Sequence, residues 1–546
     1  MSRYAEHINP SKTPQSQPLL GENQVKNSAG GYVYKIDKWT RLDRFLILGS
    51  DAGSYYATPR ALTQENAKCV LDCAKEDGFG TLRRILAISK SGRAPRNDPA
   101  IFALALLMSP KFVDDDLVRQ DAGRIMPEVC RTGSHLLQFV DTVTQLRGWG
   151  RSLKTSVATW YESQTPQSLA YQVTKYKQRG GWSHQDVLRL AHPKSRINDE
   201  VLQYVAIGAT AEAGRFENQP PAHQTEHNKA HYLLAAVEQA KQASTAKEIV
   251  SLILNHGLVR EHIPTQWLNE VTVWDALLDN MPVMAMLRNL GKMGSVGLLS
   301  PLSDAARTVC DALRSSDRLK RARIHPMHVL LALSTYQAGK GVRGKLSWSP
   351  VQPVLDALDD AFSLAFSCVE STDKRWLLGL DVSGSMGWAL LNNTHLSARE
   401  AAAAMMMTTV RTEPQFHAVA FTSQLSQLQV SARDSIDSVV RRVSQISFGR
   451  TDCAQPMIYA LRNKIPVDVF VVYTDNETWC GAVHPVQALR EYRQRMGIDA
   501  KLIVVGMTAT DFSIADRDDS GMLDVVGFDA NAPAVMRDFV VGGTMR

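Results

Sequence analysis

Residues 376–386 read Trp-Leu-Leu-Gly-Leu-Asp-Val-Ser-Gly-Ser-Met, an apolar run that ends in one aspartate and two serines. A second, largely apolar run from Val467 to Tyr473 is followed by Thr-Asp, which places Asp475 just beyond its end. Both runs are short and rich in residues that favour β-strands. Because the carboxyl ends of parallel strands meet at one crevice of an open sheet, we expect the polar residues after the two runs to lie together.

Oxygen-bearing side chains occupy the positions that would meet at this crevice. They are Asp381, Ser383, Ser385, Thr451 and Asp475. Two carboxylates and three hydroxyls form a hard, all-oxygen set, which suits a divalent metal such as Mg²⁺ and suits zinc poorly. Each piece has a structural alternative, because Asp and Ser often cap helices and Thr-Asp after glycine often forms a turn. The placement of the five residues after strands and in later loops favours the metal site.

The predicted site lacks a group that catalysis would require. A phosphotransferase with an aspartyl nucleophile needs a second acid as its general acid, and the corresponding position holds Ser383. Mg²⁺ keeps near-octahedral geometry and several waters, which leaves a position open for the carboxylate or phosphate of a partner. We therefore expect a site that binds ligands without turnover.

The periodicity of apolar residues divides the chain of 546 residues into two architectures. From Thr63 to Ala365 apolar residues recur at three- and four-residue spacing between breaks of Pro, Gly, Asn and Asp, which predicts short amphipathic helices without strands. The clearest segments are Phe79 to Ser89, Pro99 to Met108, Tyr232 to Gln242, Lys247 to Leu254 and Val273 to Leu287. About 300 residues of such helices indicate a solenoid or ring of helix pairs, although the sequence has no sharp repeat.

Near Asp373 the pattern changes to alternating strands and helices, so we place the domain boundary at about residue 368. The predicted strands are Trp376 to Leu380, Ala418 to Phe421, Val467 to Tyr473, Leu502 to Val505 and Asp524 to Phe528. The predicted helices between them include Ala398 to Val410 and Val486 to Arg495. This alternation predicts an α/β domain with a doubly wound parallel sheet. The expected fold class is therefore multidomain, with an all-α part followed by an α/β part.

Composition limits the class of protein. The hydrophobic fraction of 44% and the charged fraction of 21% are those of an ordinary globular protein. The longest apolar stretch, Ile101 to Met108, is far shorter than the roughly 20 residues of a membrane helix, so no membrane partner is expected. Residues 1–27 are polar and lack an apolar targeting core, which predicts a disordered arm. Seven widely spaced cysteines form no disulfide framework, which indicates a reducing, cytoplasmic location.

Positive charge is concentrated in the helical part of the chain. The whole chain has a net charge of +6, whereas residues 366–546 contain 17 Lys and Arg against 20 Asp and Glu. The stretch from Tyr171 to Arg196 combines six Lys and Arg with several aromatic residues, and Asp186 is its single acid. Such a mixture is typical of surfaces that neutralise phosphates and stack unpaired bases. The alternative is a solvated helix face with one tryptophan in the core.

The candidate RNA-binding residues in this stretch are Lys175, Lys177, Arg179, His184, Arg189 and His192. Another basic motif, Gly339 to Lys345, reads GKGVRGK and approaches a phosphate-binding P-loop. However, Leu346 replaces the required Ser or Thr, and a helical run precedes the motif where a strand is needed. We expect a flexible basic turn that contacts a nucleic-acid backbone. His325 and His328 lack companion ligands at zinc spacing, so we expect them to cap or pack.

Twelve short stretches together carry a resemblance to a known family. They are RFLILGSDAGSYY, ISKSGRAPRNDPAIFALA, CRTGSHLLQF, WGRSLKTSVATWY, TKYKQRGGWSHQDVLRLAHPK, MPVMAMLRNLGKM, ARIHPMHVLLAL, GVRGKLSW, DVSGSM, TDCAQPMIYA, TDNETW and AKLIVVGMT. With these stretches the chain resembles the Ro ribonucleoprotein core proteins, the Ro autoantigen and its bacterial relatives. Those proteins join a TROVE module to a von Willebrand factor A domain.

The resemblance implies an all-α ring of HEAT-like repeats at residues 28–367. The ends of the ring would be joined by an α/β, Rossmann-like A domain at residues 368–546, with a metal-ion-dependent adhesion site formed by the five oxygen-bearing residues named above. It also implies that small noncoding Y RNAs bind the outer ring surface, where the matching contacts are Lys175, Arg179 and His184. Single-stranded ends of misfolded or decaying RNAs would pass through the central hole, for noncoding RNA quality control and decay.

The chain departs from the family pattern beside the metal-site threonine. Gly449-Arg450-Thr451 stands where the family commonly has two glycines before the threonine. Because arginine tolerates positive φ poorly and places a charge beside the cation, we expect a reshaped loop.

The leading hypothesis is a cytoplasmic RNA-binding scaffold without catalysis. An exoribonuclease is a further expected partner, and no specificity for DNA is expected. The alternative is a Mg²⁺-dependent protein-interaction hub that uses the A domain, with the helical region as a spacer. A third hypothesis, Mg²⁺-dependent hydrolysis, would require turnover that is lost with Asp381. RNA that copurifies with the chain would separate the first hypothesis from the second.

Overall fold

The structure of the chain is a computed structural model that describes residues 12–49, 59–208, 226–341, 345–366, 370–387, 397–508 and 510–542. The first part contains β1 (Gln24–Lys26), β2 (Tyr32–Lys35), α1 (Lys38–Leu48), α2 (Pro59–Glu76), α3 (Gly78–Ser91), α4 (Asp98–Leu107), α5 (Asp116–Val129), α6 (Gly133–Arg147), α7 (Arg151–Glu162), α8 (Pro166–Lys175), β3 (Gln178–Arg179), β4 (Trp182–Ser183), α9 (His184–Ala191), α10 (Asp199–Ile207), α11 (Glu226–Gln242), α12 (Ala246–His256), α13 (Val271–Asp279), α14 (Val283–Ser295), α15 (Asp304–Arg314), α16 (Ser316–Arg321), α17 (Pro326–Gln337) and α18 (Gln352–Leu364).

The second part of the chain follows in the order β5 (Trp376–Asp381), α19 (Ala398–Thr412), β6 (Phe416–Phe421), β7 (Leu425–Gln427), α20 (Ile436–Ser444), α21 (Gln455–Arg462), β8 (Val469–Thr474), α22 (Pro485–Met496), β9 (Lys501–Gly506), β10 (Phe512–Ser513), β11 (Met522–Val526) and α23 (Ala532–Val541). The five predicted strands correspond to β5, β6, β8, β9 and β11.

Local sequence determines where many helices begin and end. Asp77, Thr132 and Ser303 are the N-cap residues of α3, α6 and α15, and each side chain accepts a hydrogen bond from a backbone N–H of the first turn. Gly257 ends α12 with a left-handed φ of 64°, which glycine adopts without a Cβ penalty. Asp77 and Gly257 belong to the residue types that the sequence pattern predicted at helix ends, whereas Thr132 and Ser303 do not.

The predicted helix from Val273 to Leu287 is wrong in one respect. It is two helices, α13 and α14, which are separated at Pro282. Proline lacks a backbone N–H and disfavours helical geometry in the residue before it, so it starts a helix more readily than it continues one. None of the helices in the described residues combines the length and the hydropathy that a membrane crossing needs.

The helices of the first part pack in two rows. α3, α5, α7 and α9 contact one another in turn, and α2, α4 and α6 form a second row against them. Contact between each helix and the next but one is the packing of a helical solenoid. The all-α architecture is therefore confirmed, except that β3 and β4 form a short antiparallel hairpin where no strand was predicted.

The two ends of the helical array meet. The carbonyl oxygen of Arg93, in the loop after α3, accepts a hydrogen bond at 2.9 Å from Nε2 of His325, which lies 232 positions later at the N-cap of α17. In the same place Gly92 lies beside Arg323. The array is thus closed, as a ring requires, and a central opening stays a prediction.

A six-stranded sheet forms the centre of the second part, with the strand order β11-β9-β8-β5-β6-β7. Five strands are parallel, and β7 pairs antiparallel with β6 at one edge. Leu378 and Leu380 of β5 belong to the core that contains α19 and α23, whereas Leu377 packs in the core of α21 and α22. Helices therefore cover both faces, and the predicted doubly wound α/β domain is confirmed.

The N-terminal segment (residues 12–35) packs on the α/β domain. β2 lies between β1 and β10, with Lys35 paired to Phe512. Leu19 and Val33 are buried in the core that contains α21 and α22. The prediction of a disordered arm is therefore wrong for residues 12–27, because partners in the α/β domain bury their apolar side chains and bind their polar groups. Residues 1–11 lie outside the described residues, and the helical array begins at Lys38 rather than at residue 28.

Ion pairs attach both ends of the helical array to the α/β domain. Arg44 of α1 is fully buried and donates from Nη2 to both carboxylate oxygens of Asp524 at 2.6 Å. At the other end, Arg411 of α19 donates to Asp359 of α18 at 2.6 Å. Such charge-assisted hydrogen bonds are the strong ones in proteins. The α/β domain therefore joins the first helix of the array to the last.

Candidate metal centre and RNA-binding surface

Two adjacent strands of the sheet bring four of the predicted metal ligands together. Asp381 is the last residue of β5, and Ser383 and Ser385 follow it in a tight turn. The backbone N–H of Ser383 donates to Oδ1 of Asp381 at 2.9 Å, and the two serine hydroxyls are 3.2 Å apart. Asp475 follows the neighbouring strand β8 and accepts a hydrogen bond from the hydroxyl of Ser385. These four side chains therefore form one cluster at the carboxyl edge, as the positions after the strands predicted.

The two carboxylates of this cluster destabilise each other's charged forms. Burial, followed by the negative charge of Asp475, raises the pKa of Asp381 to about 7. Burial also raises the pKa of Asp475, whose Oδ2 has no hydrogen-bond partner among the described residues. Thr474 donates from Oγ1 to Oδ2 of Asp381 at 2.7 Å. Thr474 was not among the predicted site residues, although its position directly before Asp475 is a usable signal.

The donor set of the cluster fits a small, hard divalent cation. A cation would offset the two buried negative charges and bind the unpartnered oxygen of Asp475. Carboxylate and hydroxyl oxygens are ligands that Mg²⁺ accepts. Within the described residues no cluster of three or more His, Cys, Asp or Glu side chains occurs, so a zinc-type site has no candidate there.

Thr451 lies in a third loop at the same edge of the sheet. It is buried, and its carbonyl oxygen accepts a hydrogen bond from the backbone N–H of Trp479 at 3.1 Å. The carbonyl oxygen of Gly449 accepts a hydrogen bond from the backbone N–H of Gly384 at 3.3 Å, which joins this loop to the turn after β5. Thr451, the fifth predicted ligand, therefore lies in a loop that is hydrogen-bonded to the turn that carries Ser383 and Ser385.

Arg450 does not strain the Thr451 loop. Its φ is not positive, so the backbone strain that we expected at Arg450 is absent. The exposed guanidinium lies over the ring of Trp479, 5.4 Å from the ring centroid, in a cation–π contact. The close approach falls on Gly449 instead, where a Cβ would lie 2.7 Å from Cβ of Thr422. Of the two residues before Thr451, only Gly449 therefore lies where a side chain would clash with Thr422.

The N-terminal segment holds the loops beside the metal centre. Gln15 donates from Nε2 to Oδ1 of Asp452 at 2.7 Å, across 437 positions of sequence. Asn27 donates from Nδ2 to the carbonyl oxygen of Thr478 at 2.7 Å, across 451 positions. Neither residue was predicted, because no local pattern connects a polar N-terminal segment with loops so far along the chain.

The basic stretch forms a helix, a hairpin and a second helix on the helical array. α8 ends at Lys175, the β3–β4 hairpin follows Lys177 and contains Arg179, and α9 carries Arg189. Lys177, Arg179 and Arg189 are exposed, and so is His192, the C-cap residue of α9. We call these five residues the basic surface. Their role in binding stays a prediction.

Aromatic rings accompany the cations of the basic surface, and Asp186, the acid within this stretch of sequence, caps α9. Lys175 donates from Nζ to the hydroxyl of Tyr171 at 2.7 Å and lies 5.4 Å from the ring centroid of Tyr176. The carboxylate of Asp186 accepts a hydrogen bond from the backbone N–H of Ser183 at 3.1 Å, as part of the capping box of α9. The carboxylate of Asp186 is therefore committed to this cap, while Glu261 and Glu238 lie near Lys175 and Lys177.

His184 does not lie on the basic surface. It is 3% exposed, and its Nδ1 is 2.7 Å from the hydroxyl of the buried Tyr161. Its ring also stacks on Trp160, and burial lowers the pKa of His184 to about 4. The prediction that His184 contacts RNA directly is wrong, because the first residue of α9 points inward against Gly133 of α6. His184 is a positioning residue beneath the hairpin.

Two other motifs have structural roles. His325 caps α17, with Nδ1 accepting a hydrogen bond from the backbone N–H of Met327 at 3.1 Å, and His328 is largely buried, so the expectation of capping or packing is confirmed. The basic turn near residue 342 is flanked by an isolated bridge between Lys340 and Ser347. Residues 342–344 of that turn lie outside the described residues.

The structure combines a closed helical array, a doubly wound domain and an oxygen-lined cluster at the sheet edge. This combination defines a class of helical-repeat proteins with an A-type domain. Family comparison specifies the class further. The model of the TROVE domain matches residues 25–335, and the model of the Ro60 vWA domain matches residues 375–540. The chain therefore belongs to the TROVE-domain Ro protein family.

Individual relatives match along nearly the whole chain. The chain is 41% identical over 551 residues to RNA-binding protein RO60 of Deinococcus radiodurans, covering 99% of this chain and 100% of the relative. It is 36% identical over 595 residues to RNA-binding protein RO60 of Caenorhabditis elegans, covering 97% and 92%. The crystal structure of the Deinococcus radiodurans RO (RSR) protein matches with a TM-score of 0.68 and 41% identity, over 93% of this chain and 100% of that one.

Proposed function

We propose that this chain is a noncatalytic RNA-binding scaffold whose basic surface contacts RNA phosphates. The observation that carries the proposal is the exposed hairpin between α8 and α9, where Lys177, Arg179, Arg189 and His192 are accessible together. Membership of a family whose relatives are named RNA-binding proteins supports it. Neutralisation of phosphates by such cations releases counterions, so the affinity should fall steeply as salt rises.

The RNA that we propose for the basic surface is a small noncoding RNA of the Y type. Single-stranded ends of misfolded or decaying RNAs would enter the helical ring. The chain would act in noncoding RNA quality control in the cytoplasm. An exoribonuclease would be a further partner, and the chain would have no specificity for DNA. The resemblance in sequence supports this finer proposal, as does the concentration of positive charge in the helical part.

A filter-binding titration against a small structured RNA tests the basic surface. The double variant Lys175→Gln/Arg179→Gln should lower the affinity and reduce the slope of log affinity against log salt by about 2, because each lost phosphate contact removes about one unit. The control is Arg307→Gln/Lys320→Gln, which removes two exposed charges from α15 and α16. Equal losses in both variants, or none in either, would contradict the assignment.

We also propose that the oxygen cluster holds Mg²⁺ and that the bound ion offers an open position to a partner. The two buried carboxylates and the unpartnered Oδ2 of Asp475 support this proposal. They also favour the second candidate function, a protein-interaction site on the A domain.

Thermal unfolding with and without Mg²⁺ tests the metal proposal. Mg²⁺ should raise the melting temperature of the wild-type chain, since a ligand of the folded state stabilises it. Asp475→Asn should abolish that increase while raising the melting temperature in EDTA, because it removes one of two repelling carboxylates. The control variant Asp499→Asn changes an exposed acid and should respond to Mg²⁺ like the wild type. RNA affinity should be unchanged in both variants.

A further inference from the structure

A cavity of about 680 Å³ lies between α14, α17 and the loops beside them. It shares no residue with the basic surface or with the oxygen cluster. Its volume falls within the roughly 300–1,000 Å³ that is typical of small-molecule sites. Buried apolar side chains, Leu268, Trp274, Leu287 and Leu290, contribute to its lining, and none of the described residues that line it is acidic.

Four cations line the cavity. They are Arg96, Arg260, Arg288 and Lys292. Arg288 and Lys292 are one helical turn apart on α14, where like charges destabilise a helix. Within the part of the chain that the structure describes, neither Arg260 nor Arg288 forms an ion pair. An anionic ligand would offset this excess of positive charge.

Trp348 forms a fixed aromatic wall of the cavity. Its indole N–H donates to the carbonyl oxygen of Tyr336 at 2.8 Å, and the two rings stack with an interplanar angle of 16°. A Cβ at Gly291 of α14 would lie 2.6 Å from the indole ring, so the helix approaches Trp348 this closely only because glycine stands there. A preformed aromatic wall suits a ligand with a planar ring.

His328 adds an uncharged ring to the lining. Burial, followed by the charges of His325, Arg288 and Arg96, lowers the pKa of His328 to about 3, so its imidazole is neutral at pH 7. The backbone carbonyl of Pro95 accepts the hydrogen bond of the protonated ring nitrogen. Nδ1 is buried and has no hydrogen-bond partner among the described residues.

We propose that this cavity binds one nucleoside monophosphate unit. The base would lie against Trp348 and the apolar lining, and the phosphate would pair with Arg288 and Arg260. Inorganic phosphate alone would leave the apolar lining without a partner, and a neutral aromatic ligand would leave the cations unpaired. The unit is either a free mononucleotide or the terminal nucleotide of an RNA strand, and only in the second case does the inference rest on the proposed function.

Isothermal titration of the full chain with adenosine and uridine 5′-monophosphates tests the site. Both should bind at least about tenfold more tightly than adenosine, uridine or inorganic phosphate, since each of these probes lacks one class of contact. Arg288→Gln should weaken binding by about tenfold or more, as expected for loss of a charge-assisted hydrogen bond. Ala332→Trp should fill the cavity and abolish binding. Arg307→Gln, an exposed charge on α15, is the control and should bind like the wild type.

A fluorescein-labelled oligoadenylate of ten nucleotides distinguishes the two sources of the unit. If a mononucleotide displaces the oligonucleotide, the result supports the site and indicates that strand ends also bind there. If mononucleotides fail to bind, loss of oligonucleotide affinity in Arg288→Gln but not in Arg307→Gln still supports the site and assigns it to a strand end. If Arg288→Gln changes the affinity of neither probe, the proposal is overturned. Arg288 is exposed, so its substitution should leave the fold intact, which circular dichroism can verify.

The structured-RNA titration of the basic surface, run on the same proteins, separates this inference from the proposed function. If the cavity binds its nucleotide probe but the chain does not bind structured RNA, the proposed function is contradicted and the inference about the cavity is not. If the chain binds structured RNA but the cavity binds no nucleotide probe, the inference about the cavity is contradicted and the proposed function is not.

Discussion

A neutral imidazole beneath the β3–β4 hairpin illustrates how a single residue can affect binding without touching a ligand. His184 contacts Tyr161 of α7 and lies against Gly133 of α6, so it connects the start of α9 with two other helices. Its substitution would move the hairpin that carries Arg179. The sequence places His184 among lysines and arginines, which predicts exposure, and it holds no local signal that the first residue of α9 points inward.

Replacement of His184 by glutamine should change how the stability of the chain depends on pH. The pKa of His184 is about 4 in the folded chain, below its ordinary value of 6.5, so the unfolded state takes up a proton first as the pH falls. This difference removes up to about 3 kcal/mol of wild-type stability between about pH 6.5 and pH 4. Above pH 6.5 the contribution is fully present.

Thermal unfolding of wild-type and His184→Gln chains at several pH values checks this prediction. The glutamine variant should be less stable than the wild type at pH 7, and the gap should narrow as the pH falls toward 4. A gap that stays constant over this range would mean that His184 is not a buried, neutral imidazole.

At the scale of elements, the predictability of a strand followed from how much of it is buried. β5 and β8 are buried on both faces, so their sequences are nearly continuous apolar runs that local reading detects. β10 has two residues and β2 has four, and both depend on partners far away in sequence. The same applies to the metal centre, whose motif residues were predictable whereas the supporting Gln15 and Asn27 were not.

The N-terminal segment makes the α/β domain dependent on one buried amide. Asn27 donates to the carbonyl oxygen of Thr478 and accepts a hydrogen bond from the backbone N–H of Gly31 at 2.8 Å. Asn27→Ala should lower the free energy of unfolding by about 1–3 kcal/mol, because buried backbone groups lose their partners. Chemical denaturation measures the loss, and hydrogen exchange should increase in the loop around Thr478.

The neighbouring substitution Lys26→Ala is the matched control for this prediction. Lys26 is exposed on β1, so its loss should change the stability by less than about 0.5 kcal/mol. Equal effects of the two substitutions would indicate that the N-terminal segment does not hold the loop through Asn27.

At the scale of the whole molecule, a shared apolar core and a few buried polar contacts join the helical array to the α/β domain. Arg44 is fully buried and also donates to the carbonyl oxygens of Thr510 and Phe512, each at 2.9 Å. It therefore joins α1 to β10 and, through Asp524, to β11. One continuous apolar core also extends from the helical array to the face of the sheet that α19 and α23 cover, so Arg44 adds polar contacts beside an apolar interface.

Arg44→Ala should destabilise the chain by about 3–5 kcal/mol, because it leaves the carboxylate of Asp524 without its partner. Calorimetry should then show a lower melting temperature than in the wild type. Arg83→Ala is the control, since Arg83 pairs with Asp77 at an exposed site and should cost less than about 1 kcal/mol. A single transition at the wild-type temperature in Arg44→Ala would contradict the bridging role.

The pairing of β2 with β10 also constrains the order of events during biosynthesis. Lys35 leaves the ribosome long before Phe512, its partner in the sheet. At about 5–20 residues per second, translation separates the two by roughly 25 to 95 s. Throughout that interval the nascent chain carries an unpaired strand edge and an arginine without its carboxylate, so its first segment should stay open to proteases until the final strands emerge.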